Sequence, residues 1–181
     1  ITVLLPADYE ATVMATRDLV NHRGPVYMRL GRGAVPDVYS KDGCRFELGK
    51  ANLLREGTRC AIIATGEGVH HSLAAAERLE AVGISTSVVD VHTIKPFDTE
   101  TILDVCGQAE AVVTVEEHSV FGGLGGAVAE VLSVHAPRPM RILGFPDEFM
   151  PSGSAAELFE YAGVTAAGVE ATVRSLLDGS S

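Results

Sequence analysis

The sequence lacks long apolar runs and clusters of basic residues. No stretch approaches the ~20 consecutive apolar residues that a membrane-spanning helix requires. Asp and Glu number 24 against 14 Lys and Arg, which gives a formal net charge of −10. Because neutralisation of nucleic-acid phosphates requires clustered Lys and Arg, this acidic balance argues against such a partner. We therefore predict a protein that binds neither a membrane nor a nucleic acid.

Cysteine is also scarce. Cys44, Cys60 and Cys106 lie far apart and form no CxxC pair. Cys60 and Cys106 fall in or beside apolar segments, which is typical of reduced, buried thiols, and we predict a cytoplasmic location. The opening residues ITVLL have neither the charged region nor the cleavage site of a signal peptide. They lack an initiator Met and begin inside a predicted strand, so we expect a fragment or a chain whose first part is missing.

Several motifs that would carry chemistry are absent. The histidines are scattered with no HExxH, and no GxSxG elbow occurs, so the sequence predicts neither a metal site nor a serine hydrolase. The loops GEGVHH and GGLGG fail the dinucleotide pattern GxGxxG, because His71 and Val128 occupy the third glycine position. These absences argue against nucleotide binding at either glycine loop.

The glycines of EEHSVFGGLGG have a steric interpretation instead. Glycine lets another backbone approach closely and adopts positive φ at little cost. We predict that this loop docks the start of a helix against a neighbouring strand or subunit, with four interface residues: His118, Gly122, Gly123 and Gly125. The preceding EEH segment would lie at the carboxyl end of a parallel strand, where α/β sheets place their sites, so a contact with a bound group stays open.

The order of predicted elements indicates an α/β fold. Apolar strand-like runs alternate with helical segments, and the predicted strands cover residues 1–5, 26–30, 60–66, 84–91, 111–117 and 140–145. The predicted helices cover residues 8–22, 69–82, 99–107, 125–134, 154–162 and 166–177. This alternation predicts three layers with a mostly parallel sheet and helices on both faces. We interpret residues 37–58 as a connector, with a short strand pair around RFELGKANLL, and TIKPFD as a turn.

Two arginines in YMRLGRG are the candidate ligand-binding residues. Arg29 belongs to a predicted strand, and Arg32 follows in a turn between two glycines. A guanidinium has five donors in a rigid fork and binds phosphate or carboxylate in bidentate fashion. From the residues alone, a surface or salt-bridged arginine is an equal alternative.

Several segments together resemble one family. LLPADYEA, GPVYMRLGRGAVP, IIATGEGVHHSLAAAERL, VVDVHTIKPFD and VTVEEHSVFGGLGGAVAEVL are similar, in order and spacing, to the carboxyl-terminal section of transketolases. The resemblance implies a remnant of the pyrimidine-binding domain at 1–40, a linker at 41–56 and the transketolase C-terminal domain at 57–181. Deoxyxylulose-phosphate synthases and 2-oxo acid dehydrogenase β subunits share the IKPFD and EE–GG–G elements, so both stay alternatives.

The resemblance also implies a function. Such enzymes use thiamine diphosphate and Mg²⁺ to transfer a two-carbon ketol unit between sugar phosphates, and their cofactor ligands lie upstream of the PAD motif at 6–8. We therefore expect no catalytic, cofactor or metal ligand in this chain and no activity of the chain alone. The implied partners are a second copy in a homodimer, an amino-terminal transketolase section, or both.

The resemblance assigns a role to the two arginines. Arg32 matches the family arginine that binds the substrate phosphate, and Arg29 matches a second basic position. The family pattern Ser-Arg-Gln is Gly31-Arg32-Gly33 here, so the charge is kept and the flanking side chains are lost. The alternative to an enzyme section is a non-catalytic assembly module.

Overall fold

The computed structural model describes residues 1–40 and 43–179. Its strands are β1 (Thr2–Leu4), β2 (Val26–Met28), β3 (Asn52–Arg55), β4 (Cys60–Ala64), β5 (Thr86–Asp90), β6 (Thr93–Lys95), β7 (Ala111–Ser119) and β8 (Met140–Phe145). Its helices are α1 (Tyr9–Leu19), α2 (Gly68–Glu80), α3 (Thr99–Gln108), α4 (Leu124–His135), α5 (Ala155–Ala162) and α6 (Ala166–Leu177).

The larger sheet has five strands in the order β3-β5-β4-β7-β8. The β4 strand pairs in parallel with both β5 and β7, and β7 pairs in parallel with β8, whereas β3 is an antiparallel edge strand. Every residue of β4 is buried, as expected for a strand covered on both faces. One face packs against α2 and α6 and the other against α3 and α4. The predicted three-layer, mostly parallel α/β fold is thus confirmed.

A second, smaller sheet has the order β2-β1-β6. The β1 strand lies in its centre, parallel to β2 and antiparallel to β6. The prediction that TIKPFD is only a turn was therefore wrong, since Thr93–Lys95 form β6. A three-residue strand of mixed polarity carries no periodic signal, and its pairing depends on β1, about ninety positions earlier in the chain.

The connector between the two sheets is held by three aspartates. Asp8 Oδ2 accepts hydrogen bonds from the main-chain N–H groups of Val38 and Tyr39, both at 2.8 Å. The Tyr39 hydroxyl donates to Asp90 Oδ2 at 2.6 Å. At the far end, Asp98 Oδ2 accepts from the main-chain N–H of Ala51 at 2.9 Å. The segment is thus fixed at both ends, and the positions 41 and 42 of the proposed linker lie outside the described residues.

The predicted strand pair around RFELGKANLL was also wrong. Residues 43–51 form no strand, and Asn52–Arg55 pair with β5 rather than with a local neighbour. Helix starts were predicted better: Asp8, Asp98 and Thr165 each accept a hydrogen bond from the first turn of the following helix. These polar residues satisfy main-chain donors that the helix itself leaves free.

The thiols and the surface agree with part of the sequence analysis. Cys60 and Cys106 are buried and Cys44 is partly buried, and all three are free thiols. Burial raises the pKa of the Cys60 and Cys106 thiols to about 12, which keeps them protonated and unreactive. Among the described residues, no helix is both long enough and apolar enough to cross a membrane.

Candidate functional site

The two sheets meet at the carboxyl ends of their strands. The main-chain N–H of Gly66, just after β4, donates to the Leu5 carbonyl oxygen after β1 at 3.2 Å. The main-chain N–H of Leu5 in turn donates to the His92 carbonyl oxygen at 2.9 Å. The segments that follow β1, β2, β4 and β7 therefore converge at one edge of the molecule. This is the position at which open α/β sheets bind ligands.

A cleft of about 400 Å³ opens at this edge. It is lined by the segment 32–36, the start of α2, helix α5 and Thr165, which precedes α6. The side chains that line it include one arginine, three glutamates, two histidines and one phenylalanine: Arg32, Glu67, Glu117, Glu160, His70, His71 and Phe159. The cleft therefore contains one guanidinium and three carboxylates.

Arg29 forms an internal ion pair. Its Nη2 atom lies 3.2 Å from Glu117 Oε1, and its Nη1 atom donates to the Glu117 main-chain carbonyl oxygen. Both side chains are about a quarter to a third exposed. These contacts tie the end of β2 to the end of β7, and they occupy the guanidinium that the sequence assigns to a phosphate. The salt-bridged alternative considered for these arginines thus describes Arg29.

Arg32 is placed differently. It lies in the exposed turn that follows β2, and its side chain lines the cleft. Within residues 1–40 and 43–179, its guanidinium has no ion pair or hydrogen bond. All of its donors are therefore available to an anion that enters the cleft.

Glu67 was not identified from the sequence. It precedes α2 and reaches the loop that carries Arg32, so that a Cβ added at Gly31 would lie 1.7 Å from Glu67 Oε1. Burial raises the pKa of the Glu67 carboxyl, the charge of Glu117 raises it further, and Arg29 opposes both. Its contact with Gly31 joins positions 36 residues apart, in the segments that follow β2 and β4, which no local pattern signals.

Two histidines that line the cleft, His70 and His71, lie close together and carry no charge near neutral pH. The rings of His70 and His71 lie with centroids 3.9 Å apart, and His71 lies 5.6 Å from Phe159. Burial lowers the pKa of His70, and burial followed by the proximity of His70 lowers the pKa of His71 to about 4. Near pH 7 both imidazoles are uncharged, so they add no positive charge for an anion.

The glycine loop after β7 has a carboxylate of the protein at its centre. Glu116 is 1% exposed, and its two oxygens accept hydrogen bonds from the main-chain N–H groups of Leu124 and Gly125, both at 2.8 Å. These N–H groups begin α4 and would otherwise suit a phosphate. Because Glu116 already occupies them, the start of α4 offers no free anion site, in agreement with the failed dinucleotide pattern.

The four predicted interface residues lie around this carboxylate. A Cβ at Gly123 would lie 1.9 Å from Glu116 Oε2, and one at Gly125 would lie 2.5 Å from a methyl group of Ile142 in β8. Both glycines therefore have a packing role inside the chain. Gly122 has φ of +73° and open space around it, and the His118 side chain is 45% exposed. Their role in a subunit interface stays a prediction.

The described residues do not form a site for magnesium or a diphosphate. No three His, Cys, Asp or Glu side chains converge as metal ligands in the part of the chain that the structure covers. The start of α4, which follows β7, is already occupied by Glu116. The donor set of the cleft is a guanidinium facing carboxylates, which does not fit a metal-bound diphosphate.

The fold and the cleft define an α/β protein of three layers, with a mostly parallel central sheet and a polar site at the carboxyl ends of its strands. The sequence model of the family described as "Transketolase, C-terminal domain" matches residues 49–169. The chain therefore belongs to the transketolase C-terminal domain family.

Similar proteins extend this finding. A subunit of the apulose-4-phosphate transketolase of Phocaeicola vulgatus is 45% identical over 167 residues, which cover 92% of this chain and 53% of the relative. The 6-deoxy-6-sulfo-D-fructose transketolase subunit SqwH of a Clostridium species is 44% identical, covering 91% and 51%. A solved structure described as "Split gene transketolase, inactive beta4 tetramer" is 44% identical with a TM-score of 0.93, covering 98% and 58%. The chain thus spans about half the length of these relatives.

Proposed function

We propose that this chain is the carboxyl-terminal section of a thiamine-diphosphate-dependent transketolase that transfers a two-carbon ketol unit between sugar phosphates. Two similar proteins are named as transketolase subunits, and the chain spans 53% and 51% of them. In this proposal, thiamine diphosphate and Mg²⁺ are held by an amino-terminal section; the described residues contain no cluster of three His, Cys, Asp or Glu side chains that could hold the metal. The proposed division is residues 1–40, 41–56 and 57–181, and the family match begins within the second part.

The observation that carries the proposal is the free guanidinium of Arg32 at the cleft. It lines the 400 Å³ space without an ion pair among the described residues, at the edge where the strands of both sheets end. In the proposed complex it binds the phosphate of the sugar through paired N–H donors, which are about twice as strong as neutral hydrogen bonds. Arg29 supports this loop through Glu117, and thus acts on the phosphate through position rather than contact.

We also propose that the chain is inactive and self-associates when it is alone. The solved split-gene relative is described as an inactive β4 tetramer. Gly122 is the predicted interface residue that has open space around it, whereas the exposed His118 side chain also lies beside Glu116 and Gly123 of its own chain. A cytoplasmic location is consistent with the three free thiols.

The test is reconstitution. The purified chain, an amino-terminal transketolase section, and their mixture are assayed for ketol transfer from a ketose phosphate with thiamine diphosphate and Mg²⁺ present. We expect turnover only in the mixture. Turnover of a 2-oxo acid by the mixture, without ketol transfer, would identify one of the two alternative enzyme types. Dimerisation of the chain or its association with the amino-terminal section, without turnover, would support the non-catalytic assembly module.

A further inference from the structure

The charged side chains of the cleft differ in how far other residues compensate their charges. Arg32 contributes one positive charge, and Glu67, Glu117 and Glu160 contribute three carboxylates. The charge of Glu117 is compensated by Arg29 at 3.2 Å. Glu160 extends from α5, on the side opposite the arginine turn. Glu67 is thus the carboxylate that lies against the Arg32 loop, and the charge of Glu117 acts on it more strongly than the opposing charge of Arg29.

The contact between Glu67 and this loop depends on glycine at position 31. The carboxyl group of Glu67 fills the space where a side chain at 31 would begin, with Oε1 at 1.7 Å and Cδ at 2.7 Å from the ideal Cβ position. Position 31 is directly adjacent to Arg32. Because Arg32 and Glu67 line the same cleft, an anion held there by the Arg32 guanidinium is exposed to the like charge of Glu67.

We propose that Glu67 is a specificity-determining residue that sets the charge selectivity of the Arg32 site. It reduces the advantage of a dianionic phosphate over a monoanionic terminal group, such as a sulfonate. This inference rests on the proposed function. The partial burial that disfavours the ionised carboxyl at Glu67 shows that water screens this charge incompletely.

The size of the effect follows from Coulomb's law. A dianion interacts with the Glu67 carboxylate twice as strongly as a monoanion does, so the difference is one pair of unit charges. For an assumed separation of about 8 Å and an effective dielectric constant of about 40, this difference corresponds to about fivefold in relative affinity. Neutralising Glu67 should therefore shift the preference towards phosphate by about this factor.

The experiment uses the chain reconstituted with its amino-terminal section and two sugars that differ only in a terminal phosphate or sulfonate. Glu67→Gln should raise the phosphate-to-sulfonate ratio of kcat/KM about fivefold, mainly through KM. Gly31→Ser should act in the same direction, because the new side chain displaces the Glu67 carboxylate. Glu77→Gln is the matched control, since it removes an exposed carboxylate from the same helix away from the cleft.

The outcomes separate this inference from the proposed function. An unchanged ratio in a folded Glu67→Gln enzyme, or an equal change in Glu77→Gln, would overturn the role of Glu67. If Arg32→Ala leaves both KM values unchanged, the proposed function itself is wrong. Calorimetric titration of the same complexes with both sugars provides a second readout, and binding of neither sugar to the wild type would overturn both.

Discussion

Replacement of Glu116 should destabilise the protein more than replacement of any surface carboxylate does. Glu116 is 1% exposed and accepts two main-chain hydrogen bonds at 2.8 Å from the start of α4. Hydrogen bonds to a charged group contribute about 1.5–3 kcal/mol each, and a negative charge at a helix start adds up to about 2 kcal/mol when partly buried. Glu116→Ala removes both acceptors and leaves two buried donors without a partner. We expect a loss of about 4 kcal/mol.

The conservative variant isolates the charge. Glu116→Gln keeps the volume and one acceptor oxygen, but its amide group faces an N–H donor, so we expect a loss of about 2–3 kcal/mol. The measurement is the free energy of unfolding in urea, followed by circular dichroism. Glu110→Ala is the control at the other end of the same strand. Its pair with Arg59 is about half exposed on both sides and should contribute less than about 1 kcal/mol.

Equal losses for Glu116→Gln and Glu110→Ala would refute this reasoning. Such a result would mean that the first main-chain donors of α4 find another acceptor, and the start of α4 would again be a candidate anion site. The prediction therefore tests both the stability of the loop and the conclusion that Glu116 already fills it.

Three further predictions concern the substrate, the connector and the glycine loop. In the reconstituted enzyme, Arg32→Ala should raise KM for phosphorylated sugars at least about tenfold more than for unphosphorylated ones. The control Arg23→Ala, at an exposed position, should change neither KM value. Equal effects of Arg32→Ala on both kinds of sugar would contradict the assignment. Burial raises the pKa of Asp90 to about 7 from 3.8, so the native state holds a proton that the unfolded state releases. The stabilisation by this group is therefore present below about pH 4 and is lost as the pH rises to about 7, with a total loss of up to about 4 kcal/mol in the free energy of unfolding. Asp90→Asn should remove this pH-dependent loss, which urea titrations at about pH 5 and pH 7.5 measure. Gly125→Ala should lower the free energy of unfolding by about 1–3 kcal/mol, because the new Cβ would meet Ile142. Gly126→Ala has open space around it and should stabilise α4 by up to about 1 kcal/mol. A similar result for both variants would show that repacking relieves the contact with Ile142.

Features that depend on local chemistry were predicted well from the sequence. Asp8, Asp98 and Thr165 are polar residues directly before amphipathic segments, and each begins a helix as expected. The buried strand CAIIA was visible as a continuous apolar run. These signals need no knowledge of the tertiary fold, because they arise from residues within a few positions of each other.

Features that depend on distant partners were missed. Arg29 and Glu117 are 88 positions apart, and the residues alone left a free and a paired arginine equally open. Glu67 looked like an ordinary loop residue, because its significance comes from its contact with Gly31, in the segment after β2. The strand β6 is recognisable only through β1. In each case the signal lies in a pairing that the linear order of residues does not encode locally.

Because β1 is the central strand of the small sheet, the residues before the connector and those after it depend on each other for stability. One neighbour of β1 comes from the first forty residues and the other from the part after the connector. A single peptide-bond cleavage in the connector would therefore leave two pieces that remain associated as a nicked particle. Such a particle should unfold in one transition, because neither piece retains a complete small sheet after separation.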